Sequence, residues 1–209
     1  MKLWEEFYDY VRPFIPGAPT ELVDLYLRSA AITFFKETEV MTADETLPLI
    51  ANQAIYQTDN PPLTETTRVL EFRLSDGTPL HPIARLELQE KNQNWALQKG
   101  PPTHYLQISP RQIRVFPIPE QNYSSTISMV LQPTRDSVGL EDEWYDEYVE
   151  YIANGAINRI ARIPQKPWTN MELAAAMGIV FQADIRNARI EAHRSFTNKD
   201  LQIQFNKIV

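Results

Sequence analysis

The chain has 209 residues, 43% hydrophobic and 22% charged, with a formal net charge of −7. That is the composition of an ordinary folded protein, and it argues against phosphate-driven nucleic-acid binding as the main role. There is no cysteine and there are three histidines, His81, His104 and His193, which excludes a disulfide framework, a thiolate nucleophile and a cysteine-based metal site.

The start, MKLWEEFYDYV, is acidic and aromatic, unlike a signal peptide. No apolar run approaches the roughly 18 to 20 residues that span a bilayer, so a soluble intracellular protein is expected. Sixteen prolines against six glycines predict stiff turns rather than flexible linkers. The stretch FIPGAPTELVDLYLRSAAITFFKETE announces a helix, with Thr20 as its cap and Glu21 at the positive end of its dipole. From Leu22 to Phe35 most positions are apolar, leaving a polar strip of Glu21, Asp24, Arg28 and Lys36. So wide an apolar face suggests burial on two sides, by its own domain and by a neighbouring subunit.

From residue 46 to 134 the texture changes to period two. RVLEFRL puts Leu70, Phe72 and Leu74 on one face and Val69, Glu71 and Arg73 on the other. It runs into SDGTP, a hairpin signal. ARLELQEKNQNW reads as a short helix, HYLQISPRQIRVFPIP as two strands around Ser-Pro-Arg-Gln, and STISMVLQP as another strand. Pro117 and Pro119 place their run at a sheet edge or strand end.

Residues 141–163 and 170–195 then form a helical pair. Val149, Ile152, Ala156, Ile160 and Ile163 mark the first, and Ala174, Met177 or Gly178, Phe181, Ile185 and Ala188 the second. Ala153, Gly155 and Ala156, with Ala174, Ala175 and Gly178, would let the axes approach closely. Between the helices, Pro164 stops the first, Pro167 stiffens the link and Thr169 or Asn170 caps the second. Trp168 would cover the end of the hairpin or fill a partner's pocket. In the tail, Leu201, Ile203 and Phe205 alternate with Gln202, Gln204 and Asn206. Such an end either packs on its own β layer or adds to another chain's sheet or groove.

Charge is uneven. EDEWYDEYVE at 141–150 carries six carboxylates, set at the positive end of a helix dipole, with Arg159 and Arg162 at the other end. Residues 186–207 carry Arg186, Arg189, Arg194, Lys199 and Lys207. The acidic cluster, with Trp144 and Tyr148 to stack a sugar, is the one candidate for glycosidase chemistry, Glu143 and Glu147 foremost. Any acidic helix start supplies such spacings, however, and a solvated, dipole-compensating first turn is the better explanation. Ser109 near His104 lacks a GxSxG elbow, phosphate loops are absent, and the histidines have no metal-ligand spacing. No catalytic residue, cofactor or metal is assigned. A monomeric peptide- or glycan-binding module using Trp95 or Tyr105 stays open.

FIPGAPTELVDLYLRSAAITFFKET, GPPTHYLQI, IRVFPIP and YIANGAINRIARIPQKPWTNMELA, in this order, resemble the head-to-tail adaptor (connector) proteins of tailed bacteriophages over residues 13 to 190. The resemblance implies an α+β fold, a helical bundle with an inserted antiparallel β-rich domain. On that scheme 1–45 is the N-terminal helical segment, 46–135 the β-rich insert, 136–195 the helical hairpin and 196–209 an extended tail. It also implies a structural virion protein at the head–tail junction, made in the host cytoplasm. It would form a ring, typically of twelve subunits, between the portal and a downstream tail, nozzle or tail-terminator protein. Double-stranded DNA would pass through without sequence-specific binding, and no catalysis or membrane is required. The tail from about Thr197 lies outside this match; its alternating pattern leads us to expect that it reaches the portal or a neighbouring subunit, with Leu201, Ile203 and Phe205 as anchors beside Lys199 and Arg194.

Overall fold

The computed structural model describes residues 1–91 and 94–193. The chain opens with β1 (Lys2–Leu3), a 3-10 turn (Trp4–Phe7), α1 (Tyr8–Val11) and α2 (Thr20–Thr38). Next come β2 (Thr42–Thr46), β3 (Ile55–Gln57), β4 (Thr64–Leu74), β5 (His81–Pro82) and α3 (Arg85–Lys91). A second 3-10 turn (Trp95–Leu97) leads to β6 (His104–Ser109), β7 (Gln112–Phe116) and β8 (Ser125–Pro133). The last elements are β9 (Gly139–Leu140), α4 (Asp142–Ile160) and α5 (Met171–His193). The class is mixed α+β, as the change of period along the sequence indicates. Two compact units result, Met1–Val40 with the described residues from Val138 onward, and Met41–Ser137.

In the first unit α2, α4 and α5 pack on one another. Val23, Leu27, Ala30, Ala31, Phe34 and Phe35 of α2 are buried, as are Tyr148, Ile152, Ala156 and Ile160 of α4. The Phe34 ring lies 4.9 Å from that of Tyr148. Small residues set how near the axes come. A Cβ added to Gly155 would stand 2.7 Å from Phe181 Cε2 and 3.0 Å from Ala30 Cβ, and one on Gly178 would stand 2.6 Å from Asn158 Nδ2. Only glycine permits both approaches. The N-terminal segment closes the same unit. β1 pairs with β9 in antiparallel register, Lys2 opposite Leu140, and the Phe7 ring meets Tyr145 edge-on at 4.9 Å.

Two expectations about these helices need correction. Thr20 does not cap α2. Pro19, with φ −60° and ψ 144°, takes the cap position and no side chain bonds there, because proline's fixed φ already sets the entry. The Thr20 hydroxyl instead accepts from Arg12 Nη2 at 3.3 Å. The first helix of the C-terminal pair ends at Ile160, short of Ile163. Ile163 N–H donates to the Ile160 carbonyl at 3.1 Å, a tighter last turn of the kind that commonly ends helices.

In the second unit β8 is central, with β2 on one side and β4 on the other, all antiparallel. The other sheet runs β3-β7-β6-β5, antiparallel except for β5 beside β6. The prolines at 117 and 119 follow the end of β7, although β7 itself lies inside its sheet. The short helix expected near residue 85 is α3. Leu88 from it packs with Ile83 and Trp95, and with the partly buried Leu106 and Phe116.

Two strand expectations also change. Leu70 does not share the core face with Phe72 and Leu74; it is exposed while they are buried. The register of β4 slips between Thr66 and Arg68 and again between Val69 and Glu71. These bulges insert Thr67 and Leu70 as extra residues, and each reverses the phase of the alternation. At SDGTP the chain does reverse, with Gly77 N–H on the Leu74 carbonyl and Leu74 N–H on the Thr78 carbonyl, both at 2.9 Å. No regular second strand follows. Leu80 N–H donates once more to Phe72 at 2.8 Å, and the chain then joins the other sheet as β5. Pro79 and Pro82 have no N–H with which to extend the ladder.

Candidate functional site

The elbow between α4 and α5 is a closed hydrogen-bonded joint. Thr169 Oγ1 donates to the Ile163 carbonyl at 2.5 Å and accepts from Lys166 N–H at 2.9 Å. Asn170 N–H donates to the Ala161 carbonyl at 3.0 Å, while its Oδ1 accepts from Leu173 N–H at 2.9 Å. Asn170 is therefore the cap of α5, and the residues leading into α5 satisfy carbonyls left open at the end of α4. Gln165, between Pro164 and Lys166, carries a positive φ of 58°. Trp168 is half-buried, and its indole N–H is enclosed without a partner among the described residues. The other candidate contact residues, Arg194, Lys199, Leu201, Ile203 and Phe205, lie outside the described residues.

The acidic start of α4 does not form a sugar platform. Tyr148 is buried, and Trp144 stacks on it at 6.2 Å while meeting the Phe35 ring at 5.9 Å. Both aromatics face the helical core. Burial, with the negative charge of Glu147 and Glu191 nearby, pushes the Tyr148 hydroxyl up to about 12. Asp142 is held below the usual carboxylate range by the Met1 ammonium, 2.7 Å away. Glu143, Asp146, Glu147 and Glu150 are exposed.

The weaker chemical candidates are dispersed in the same way. Ser109 and His104 stand at opposite ends of β6, five residues or roughly 16 Å apart at strand rise. His81 pairs with His104 across β5 and β6, ring centroids 6.1 Å apart, and His193 lies on α5 of the other unit. No group of three or more metal-ligating side chains forms among the described residues. Trp95 and Tyr105 are buried. Trp95 stacks under the Arg114 guanidinium at 4.7 Å, so neither ring offers a face to a peptide or glycan.

Arg159 has a larger part than the sequence indicates. Read as a dipole-compensating charge near the end of α4, it instead turns inward. Its Nη1 donates to the Gly155 carbonyl at 2.9 Å and its Nη2 to Thr33 Oγ1 of α2 at 2.8 Å. The guanidinium sits over the Phe181 ring at 5.4 Å. Burial, then the charge of Arg162, lowers its pKa. The available signal was its spacing of four from Gly155, on the face that the small residues bring close to the neighbouring helices.

A family model for the SU10 adaptor protein matches residues 6–198. The chain belongs to the SU10 adaptor protein family. This is a family of phage head-to-tail adaptors, and the match takes in both structural units of the adaptor. No curated protein matches the chain. The family assignment makes the adaptor a structural component of the virion that associates with other head and tail proteins. Among the described residues, no helix of the adaptor is long and apolar enough to cross a membrane.

Proposed function

We propose that this adaptor forms a ring, of twelve subunits by analogy with such connectors, which joins the portal to the next tail component and lets double-stranded DNA pass. The observation that carries this reading is the adaptor-family match over residues 6–198. The charge is in keeping with it, since a chain of net charge −7 has little general affinity for phosphates and would let DNA slide. Leu25 on α2 and Ile179 on α5 are exposed apolar side chains, suited to burial between subunits. In this reading the helical segments 1–45 and 136–195 build the wall of the ring, and 46–135 extends outward or toward the tail. The tail, with Leu201, Ile203 and Phe205 as apolar anchors beside Lys199 and Arg194, reaches the portal or a neighbouring subunit.

The test is the mass of the full chain in solution, alone and mixed with its cognate portal ring. A closed oligomer in either setting is expected. A monomer in both would overturn the reading.

A further inference from the structure

A cleft of about 680 Å³ opens beside Arg159 in the helical unit, and it holds three arginines, Arg159, Arg162 and Arg186, with Thr33, Asn158 and Ile179 among its other walls. Among the described residues, none of the three arginines has a carboxylate partner. Arg159 spends two of its donors on Gly155 and Thr33, while Arg162 and Arg186 are exposed. Ile179 adds an apolar wall that is 72% exposed. Arginine beside exposed apolar surface is the chemistry of a protein contact rather than of a solvated helix face.

A matching patch of opposite sign lies on the same unit. Glu147, Glu150 and Asn154 follow one face of α4 at spacings of three and four, and Asn154 Nδ2 holds Asp184 of α5 at 3.1 Å, so carboxylates of both helices gather on that side of the pair. Glu147 and Glu150 have no basic partner among the described residues. At about 100° per residue, Glu191 falls within about 20° of Asp184 around α5, whereas Arg186 falls about 200° away. On α5, Asp184 and Glu191 therefore stand on the flank opposite Arg186, and no ion pair joins the two patches among the described residues.

We infer that the arginine cleft receives the Glu147–Glu150 face of a second copy of this chain. Complementary patches on opposite flanks make a head-to-tail contact, the kind that repeats around a closed ring. The inference rests on the ring reading above and names the contact that would build it.

The experiment uses charge reversal in the full chain, with mass measured alone and with the portal ring. The pair Arg162→Glu and Arg186→Glu and the pair Glu147→Lys and Glu150→Lys are both on exposed positions, and circular dichroism checks that each folds. Each double variant alone should raise the concentration for half-assembly by about tenfold or more. Mixed in equal amounts they should assemble again as even-membered rings, because each supplies the charge that the other lacks. Arg162→Gln with Arg186→Gln, a milder change, should give a smaller loss in the same direction. Variants that assemble like the parent, or a mixture that stays apart, would overturn the contact and leave the ring standing. A parent chain that never assembles would overturn the ring and the contact with it. Weaker binding to duplex DNA with unchanged mass would also overturn the contact and assign the cleft to phosphate.

Discussion

Gly155 of α4 and Phe181 of α5 meet with no room for a methyl group, since a Cβ at 155 would stand 2.7 Å from the ring. Ala30 stands 3.0 Å away as well, so moving α4 away from the ring would press the new methyl against α2. Gly155→Ala gains about 1 kcal/mol of helix propensity but meets an overpacking cost of about 1 to 3 kcal/mol. The expected net effect is a destabilisation of about 1 kcal/mol, read as a lower denaturant midpoint. An unchanged or higher midpoint would show that the three helices can move apart.

Asn170 caps α5 through its Oδ1. Asn170→Ala is expected to cost about 1 kcal/mol of stability, and Asn170→Asp to restore most of it, because aspartate supplies the same acceptor. Thermal unfolding of the three proteins decides the matter. Equal losses for alanine and aspartate would mean that the cap contributes nothing.

Trp168 combines a large ring with an enclosed N–H that finds no partner among the described residues. Trp168→Phe keeps most of the packing and removes the unsatisfied donor, so its unfolding free energy should stay within about 1 kcal/mol of the parent. Trp168→Ala loses the ring and should cost about 1 to 3 kcal/mol for a half-buried site, with ring assembly impaired. A phenylalanine variant as damaged as the alanine one would show that the indole N–H itself stabilises the fold.

Asp184 accepts a hydrogen bond from Asn154 Nδ2 at 3.1 Å, yet burial, with Glu150 adding to it, holds its carboxyl above the ordinary range. The folded chain thus holds this proton more readily than the unfolded chain does. The resulting stability is complete below the unfolded pKa and is lost as pH rises through the raised folded value. Asp184→Asn should therefore raise stability near neutral pH, by less than about 1 kcal/mol after solvent screening, and give no gain in acid. Melting curves at the two pH values check the sign, and an equal gain at both would contradict it.

Truncation after Ser195 tests the tail. The shortened chain is expected to fold with the parent's unfolding midpoint and to lose attachment to the portal ring in a pull-down. Undiminished attachment would remove Leu201, Ile203 and Phe205 from the interface.

Long helices were the most legible part of this sequence. Ile152, Ala156 and Ile160, spaced by three and four, lie in the buried face of α4 as the period requires. The β6–β7 hairpin could likewise be read from alternation around Ser-Pro-Arg-Gln. Leu70 was not legible, because a bulge shifts the phase of a strand without altering its composition. Nor was the course after Gly77, since a turn signal says that the chain reverses and not which sheet it then joins. At the site, the Asn170 cap could be read from residue type and position. The inward turn of Arg159 could not, because it depends on Thr33, 126 residues away in the chain. Trp144 and Tyr148 were misplaced for a related reason. A helix start shows its charges plainly, while the aromatics between them follow a helix met only in three dimensions.

The elbow has a mechanical consequence. A hinge needs a few residues free to absorb changes in φ and ψ, and here Thr169 and Asn170 fasten back onto Ile163 and Ala161. Torque applied anywhere along α5 is passed to α4 without slack, so the two helices turn as a single crank.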